Sequence, residues 1–166
     1  MSTMQPLRDE HEELRPHIAA IRDVADAVGS VPVEELRPRL AEVSAFLRDH
    51  LIPHAKAEEA VLYPEVELAM AAPRATAAMS RDHVEVAALT AELAGIERRL
   101  DAEADTAAWR ADARRVLYGL YALVGLHFAE EEEIYVPVLE ASLDADRAHE
   151  MFERMEAAAA AARRSA

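Results

Sequence analysis

Near the start of the chain, apolar residues recur at the spacing of one helix face. Leu7, Leu14, Ile18, Ile21, Ala25 and Val28 form a stripe that predicts a helix over 6–28. Gly29-Ser30-Val31-Pro32 breaks it. A second helix is expected over 33–63, with Pro38 tolerated in its first turns. Pro53 falls inside the apolar pattern and predicts a kink. Pro64 either ends this helix or opens a further short one over 65–71, and Pro73 closes the segment. A third helix is expected over 74–100, with His83, Val86, Leu89, Leu93 and Ile96 inward. A fourth is expected over 106–136, with Pro137 at its end. The stretch 144–164 is helical by composition, and its alanine run before Arg163-Arg164 reads as a fraying tail.

Composition agrees with an all-α chain. The sequence has 166 residues, enough for one domain with a sizeable core, and only 4 glycines. A net charge of −14 disfavours a nucleic-acid partner, which needs a basic face. It suits a solvated acidic surface, part of which is available to a bound cation. The absence of cysteine excludes disulfides, thiolate zinc sites and iron–sulfur clusters. Any metal must then be held by His and carboxylate. No apolar run is long enough to span a membrane, and the first residues lack the apolar core of a signal peptide. A cytoplasmic location with no membrane partner is the expectation.

The chain also repeats itself. His54-Ala-Lys-Ala-Glu58-Glu59-Ala-Val-Leu-Tyr-Pro64 matches His127-Phe-Ala-Glu-Glu131-Glu132-Glu-Ile-Tyr-Val-Pro137 at an offset of 73 residues. Upstream, Asp9-Glu10-His11 matches Arg81-Asp82-His83 at an offset of 72. Two helical hairpins of similar design follow, each with one His on its first helix and His-x3-Glu on its second.

A helix turns about 100° per residue, so residues four apart stand roughly 40° apart on one face. His54 shares a face with Glu58, and His127 with Glu131. Glu59 and Glu132 stand about 140° away, facing solvent or a neighbouring helix. Glu130 is a weaker alternative to Glu131, since its repeat counterpart is Ala57. Packed together, the hairpins bring His11, His54, Glu58, His83, His127 and Glu131 into one core. Buried, unpaired glutamates are costly, and two divalent cations offset that cost. Nitrogen-rich, sulfur-free ligation suits Fe, Zn, Ni or Cu better than Mg or Ca. No candidate His has Glu three residues before it, so the ferritin-like Glu-x-x-His pattern is missing. A third His-x3-Glu, His149 with Glu153, has no repeat partner and reads as a surface pair. His17 has no repeat equivalent either.

The ordered set His, His-x3-Glu, His, His-x3-Glu resembles the hemerythrin-like (HHE cation-binding) family over about residues 7–137. That resemblance implies an up-down four-helix bundle over 1–142, with the C-terminal helix and tail over 143–166 as an addition. It implies two iron ions with an oxo or hydroxo bridge: His11 and His54 on one, His83 and His127 on the other, Glu58 and Glu131 bridging. Oxygen-carrying members have a further His one turn before the third-helix His; here that position is Met79. His50, one turn before His54, is a candidate seventh metal residue or a partner for backbone freed by Pro53. Tyr63 and Tyr135 lie beside the motifs, where core packing or an influence on the iron are both open. The resemblance implies binding of, or reaction with, a small gaseous or peroxide ligand (dioxygen, peroxide or nitric oxide). Sensing or iron-holding without turnover is the alternative.

Overall fold

The computed structural model describes residues 2–104 and 106–165, and among these there is no strand. Six helices account for nearly all of them. α1 is Gln5–Ala27. α2 runs over 33–70, α3 is Ala77–Arg98, and α4 is the short turn Leu100–Glu103. α5 runs over 107–142, and α6 is Ala145–Arg164. α1 and α3 each pack along α5 and against α2, and α6 lies along the middle of α2.

Local signals explain the ends. Gly29 adopts φ +75, a left-handed conformation open to glycine at little cost, and follows the last turn of α1. The Thr106 side chain accepts from the Trp109 amide at the start of α5, and that of Asp144 from the Arg147 amide at the start of α6. Trp109 is buried and donates its indole N–H to the Ile96 carbonyl at 3.0 Å, tying α5 to the end of α3.

Pro64 and Pro137 depart from the sequence expectation. α2 does not end at Pro64, and α5 does not end at Pro137; both helices pass through. Each of Pro53, Pro64 and Pro137 follows a single widened turn, over Leu47–Leu51, Glu58–Leu62 and Glu131–Tyr135 respectively. The residue before each proline donates five residues back: Ile52 to Leu47, Tyr63 to Glu58, Val136 to Glu131. The cause is steric. Proline has no N–H and its ring collides with the carbonyl four residues earlier, so the helix gains one residue in that turn. α1 passes the exposed Pro16 without a widened turn. There the carbonyl that loses its donor belongs to exposed Glu12 and can be met by water.

The apolar core is divided. A long cluster holds Leu14, Ile18, Leu51, Val86, Val124 and Phe128 among others. A shorter cluster at the other end holds Leu7, Leu62, Met79, Val136 and Met151. On each long helix the candidate metal residues stand between the two clusters: Leu7, His11, Leu14 on α1, and Met79, His83, Val86 on α3. α6 contributes Ala148, Met151 and Met155 to the shorter cluster. No helix among the described residues is long and apolar enough to cross a membrane.

Candidate metal centre

The dividing layer is polar and closed. His11, Glu58 and Glu131 are fully buried, and His54 and His127 nearly so. His83 keeps a small exposed edge. The four imidazoles point their Nε2 atoms inward at two carboxylates. Glu58 Oε1 lies 2.9 Å from His54 Nε2 and 3.9 Å from His11 Nε2, while its Oε2 lies 3.3 Å from His83 Nε2. Glu131 Oε2 lies 3.5 Å from His11 Nε2, while its Oε1 lies 3.5 Å from His127 Nε2. Each carboxylate thus divides its two oxygens between two histidine pairs. Ligand atoms of His11, His54, Glu58 and Glu131 lie within 4.8 Å of one another, as do those of Glu58, His83 and His127.

These atoms lack ordinary partners. His11 Nε2, His54 Nε2, both Glu58 oxygens and Glu131 Oε2 are buried and make no hydrogen bond. Even the close pair of His54 Nε2 and Glu58 Oε1 is not aligned as donor and acceptor. Several orphaned acceptors and imidazole nitrogens converging on one point are expensive unless a cation fills it. The donor set, imidazole nitrogen with carboxylate oxygen, fits a first-row transition metal.

The outward nitrogens are satisfied, each by a carboxylate on a neighbouring helix. His11 Nδ1 faces Glu132 at 3.0 Å, and His54 Nδ1 faces Glu10 at 3.0 Å. His83 Nδ1 faces Glu59 at 2.9 Å, and His127 Nδ1 faces Asp82 at 3.4 Å. A carboxylate only accepts, so Nδ1 carries the proton and Nε2 is left to ligate. The sequence reading left Glu59 and Glu132 to solvent or a neighbouring helix, and the helix is their partner. It missed Glu10 and Asp82 in this role. The signal was available: they are matched positions of the repeat, each preceding a matched histidine.

Electrostatics follow the geometry. Burial works to lower the pKa of His54, but the charge of Glu58 and the Glu10 hydrogen bond outweigh it and hold it well above its ordinary value. Burial pushes Glu58 upward, and the charge of His54 with the other imidazoles reverses this, holding it well below the usual carboxylate range. Burial, with the charges of Glu58 and Glu131, raises Tyr63 far above an ordinary phenol. Tyr63 is therefore a donor: its hydroxyl reaches Glu131 Oε1 at 2.8 Å. The Tyr63 hydroxyl oxygen also lies 3.2 Å from His127 Nε2 and 3.3 Å from His83 Nε2.

The two halves differ around this symmetric heart. Phe128 stacks on His11, with ring centres 4.1 Å apart, and its repeat counterpart is Ala55. Tyr63 stacks on His83, and its counterpart is Val136. A cavity of about 10 Å³ adjoins Glu58 and the imidazoles of His54, His83 and His127, walled by Leu51, Ala55, Val86, Val124 and Phe128. That is room for about one water-sized molecule.

The remaining candidates lie elsewhere. His50 is exposed and stacks on Phe46 at 6.3 Å, and the structure does not bring it into the layer. His17 is exposed and lies against the same ring at 4.8 Å. His149 and Glu153 form an exposed pair at 3.4 Å. Met79 is buried one turn before His83. Tyr135 donates to the Ala75 carbonyl at 3.1 Å.

Residues 3–139 match the family model described as the hemerythrin HHE cation binding domain. The chain belongs to this family. The match covers every residue of the polar layer and stops short of α6. No curated protein and no solved structure matches this HHE-domain chain significantly. Cation binding is the property that the family description and the His/Glu cluster share.

Proposed function

We propose that this HHE-domain protein holds two iron ions and that the pair binds or reacts with a small oxidant: dioxygen, peroxide or nitric oxide. Its frame in this reading is an up-down four-helix bundle of α1, α2, α3 and α5. The carrying observation is the division of oxygens: Glu58 and Glu131 each turn one oxygen to His11 or His54 and the other to His83 or His127. Two carboxylates so placed suit a pair of cations better than one. His11 and His54 would hold the first ion, His83 and His127 the second, and Glu58 and Glu131 would bridge.

When bound, an iron pair would supply electron exchange with a small molecule. The protein's own residues do the rest. Four outer carboxylates fix the imidazole tautomers and orientations. Phe128 and the apolar clusters exclude bulk water. Tyr63 holds a proton beside Glu131 and the His83–His127 pair. The small cavity offers a place for a water-sized ligand beside three of the imidazoles.

The test is metal analysis of protein made in iron-supplied cells, with visible spectra under air and under reductant. About two irons per chain, and a spectrum that cycles between the two conditions, is the expected outcome. Zinc alone, even after anaerobic reconstitution with ferrous iron, would defeat the di-iron reading.

A further inference from the structure

Of the four carboxylates that face a histidine Nδ1, Glu132 alone shows an arginine partner among the described ion pairs. Arg15, one turn after His11 on α1, places one guanidinium nitrogen 2.8 Å from both Glu132 oxygens. The oxygen that meets His11 Nδ1 is one of those two. Glu59, the repeat counterpart of Glu132, receives instead the Ser80 hydroxyl at 3.0 Å. The counterpart of Arg15 is Ala87. The asymmetry therefore lies in the sequence and is expressed in the structure.

We infer that Arg15 is a positioning residue for the centre: it pins Glu132, which orients His11, and so makes the two metal positions unequal in how firmly they hold their ions. A free glutamate on a helix surface samples several rotamers, and a charge-assisted contact to both its oxygens removes that freedom. His11 is fully buried while Glu132 and Arg15 reach solvent, so the chain Arg15–Glu132–His11 is a tether from surface to core. His83 is held by a more exposed glutamate with a single hydroxyl behind it.

The inference rests on the two-metal reading. The experiment compares wild type, Arg15→Gln and Arg15→Lys, each loaded anaerobically with ferrous iron and challenged with a chelator. Arg15→Gln should release one of its two ions up to about tenfold faster, no more than the low end of the roughly 10- to 100-fold loss of affinity that follows removal of a metal histidine's own outer partner, and the other at the wild-type rate. Arg15→Lys should restore part of the difference, keeping charge without the planar fork. Release of both ions at wild-type rates, or equal acceleration of both, overturns the positioning role. If wild type binds no metal, the two-metal reading fails, and the tether is then read separately on the metal-free chain. There the His11 Nδ1–H should appear as a slowly exchanging signal in a nitrogen–proton correlation spectrum and vanish in Arg15→Gln. Its persistence in Arg15→Gln overturns the inference.

Discussion

Adjacent glutamates at 58–59 and 131–132 face different partners: the first of each pair enters the buried layer and the second crosses to a histidine on the next helix. Truncation should separate them. Glu58→Ala or Glu131→Ala removes a group shared by both histidine pairs, so both metals should be lost. Glu59→Ala or Glu132→Ala should keep the metal count while weakening affinity about 10- to 100-fold. Equal loss from all four variants would contradict this division. Tyr63→Phe removes the hydroxyl that, among the described residues, reaches Glu131 and the His83–His127 pair. It should leave the metal count intact and alter the visible spectrum of the oxidised protein; an unchanged spectrum would remove Tyr63 from any account of the chemistry. The six inner residues were legible because a repeat filtered them from chance pairs. Phe128 was not, because a phenylalanine within an apolar pattern looks the same whether it packs on leucine or on His11.

Among the elements, the prolines carry the lesson. Helix positions and faces follow from apolar spacing, but Pro64 and Pro137 do not end their helices, and three prolines sit behind widened turns. Spacing could not reveal this, since the choice between stopping and widening depends on tertiary packing beyond the proline. Here Val66 and Leu139 are buried and reward continuation. Two of the widened turns begin at Glu58 and Glu131 themselves. Pro64→Ala or Pro137→Ala restores an amide and lets the helix close to its regular pitch, turning the glutamates relative to their histidines. Circular dichroism should show undiminished helix while metal affinity falls. Unchanged affinity would mean that the widened turn is held by packing rather than by the proline.

For the molecule as a whole, the layer couples metal, protons and stability. In the metal-free chain His54 is held well above its ordinary 6.5, so its contribution is fully present below 6.5 and is lost as pH rises through the folded value. Glu58 is held well below its ordinary 4.5, so its contribution is present above 4.5 and is lost as pH falls through the folded value. The metal-free chain should therefore be most stable between these two limits. Metal requires deprotonated imidazole, so loading should move the optimum to higher pH. Chelation at neutral pH should lower Tm, since a site with free metal about 1,000-fold above Kd contributes about 4 kcal/mol. Thermal melts across pH, with and without chelator, check both statements; a Tm indifferent to metal would contradict them. Two apolar clusters with a layer of charge between them need not melt together: without its cations the layer is a fault line, and the shorter cluster can open while the longer one stays closed. Amide exchange should then show two cooperative blocks in the metal-free chain, with 4–7, 61–66, 136–139 and 148–155 exchanging ahead of the rest, and a single block once metal bolts the two together.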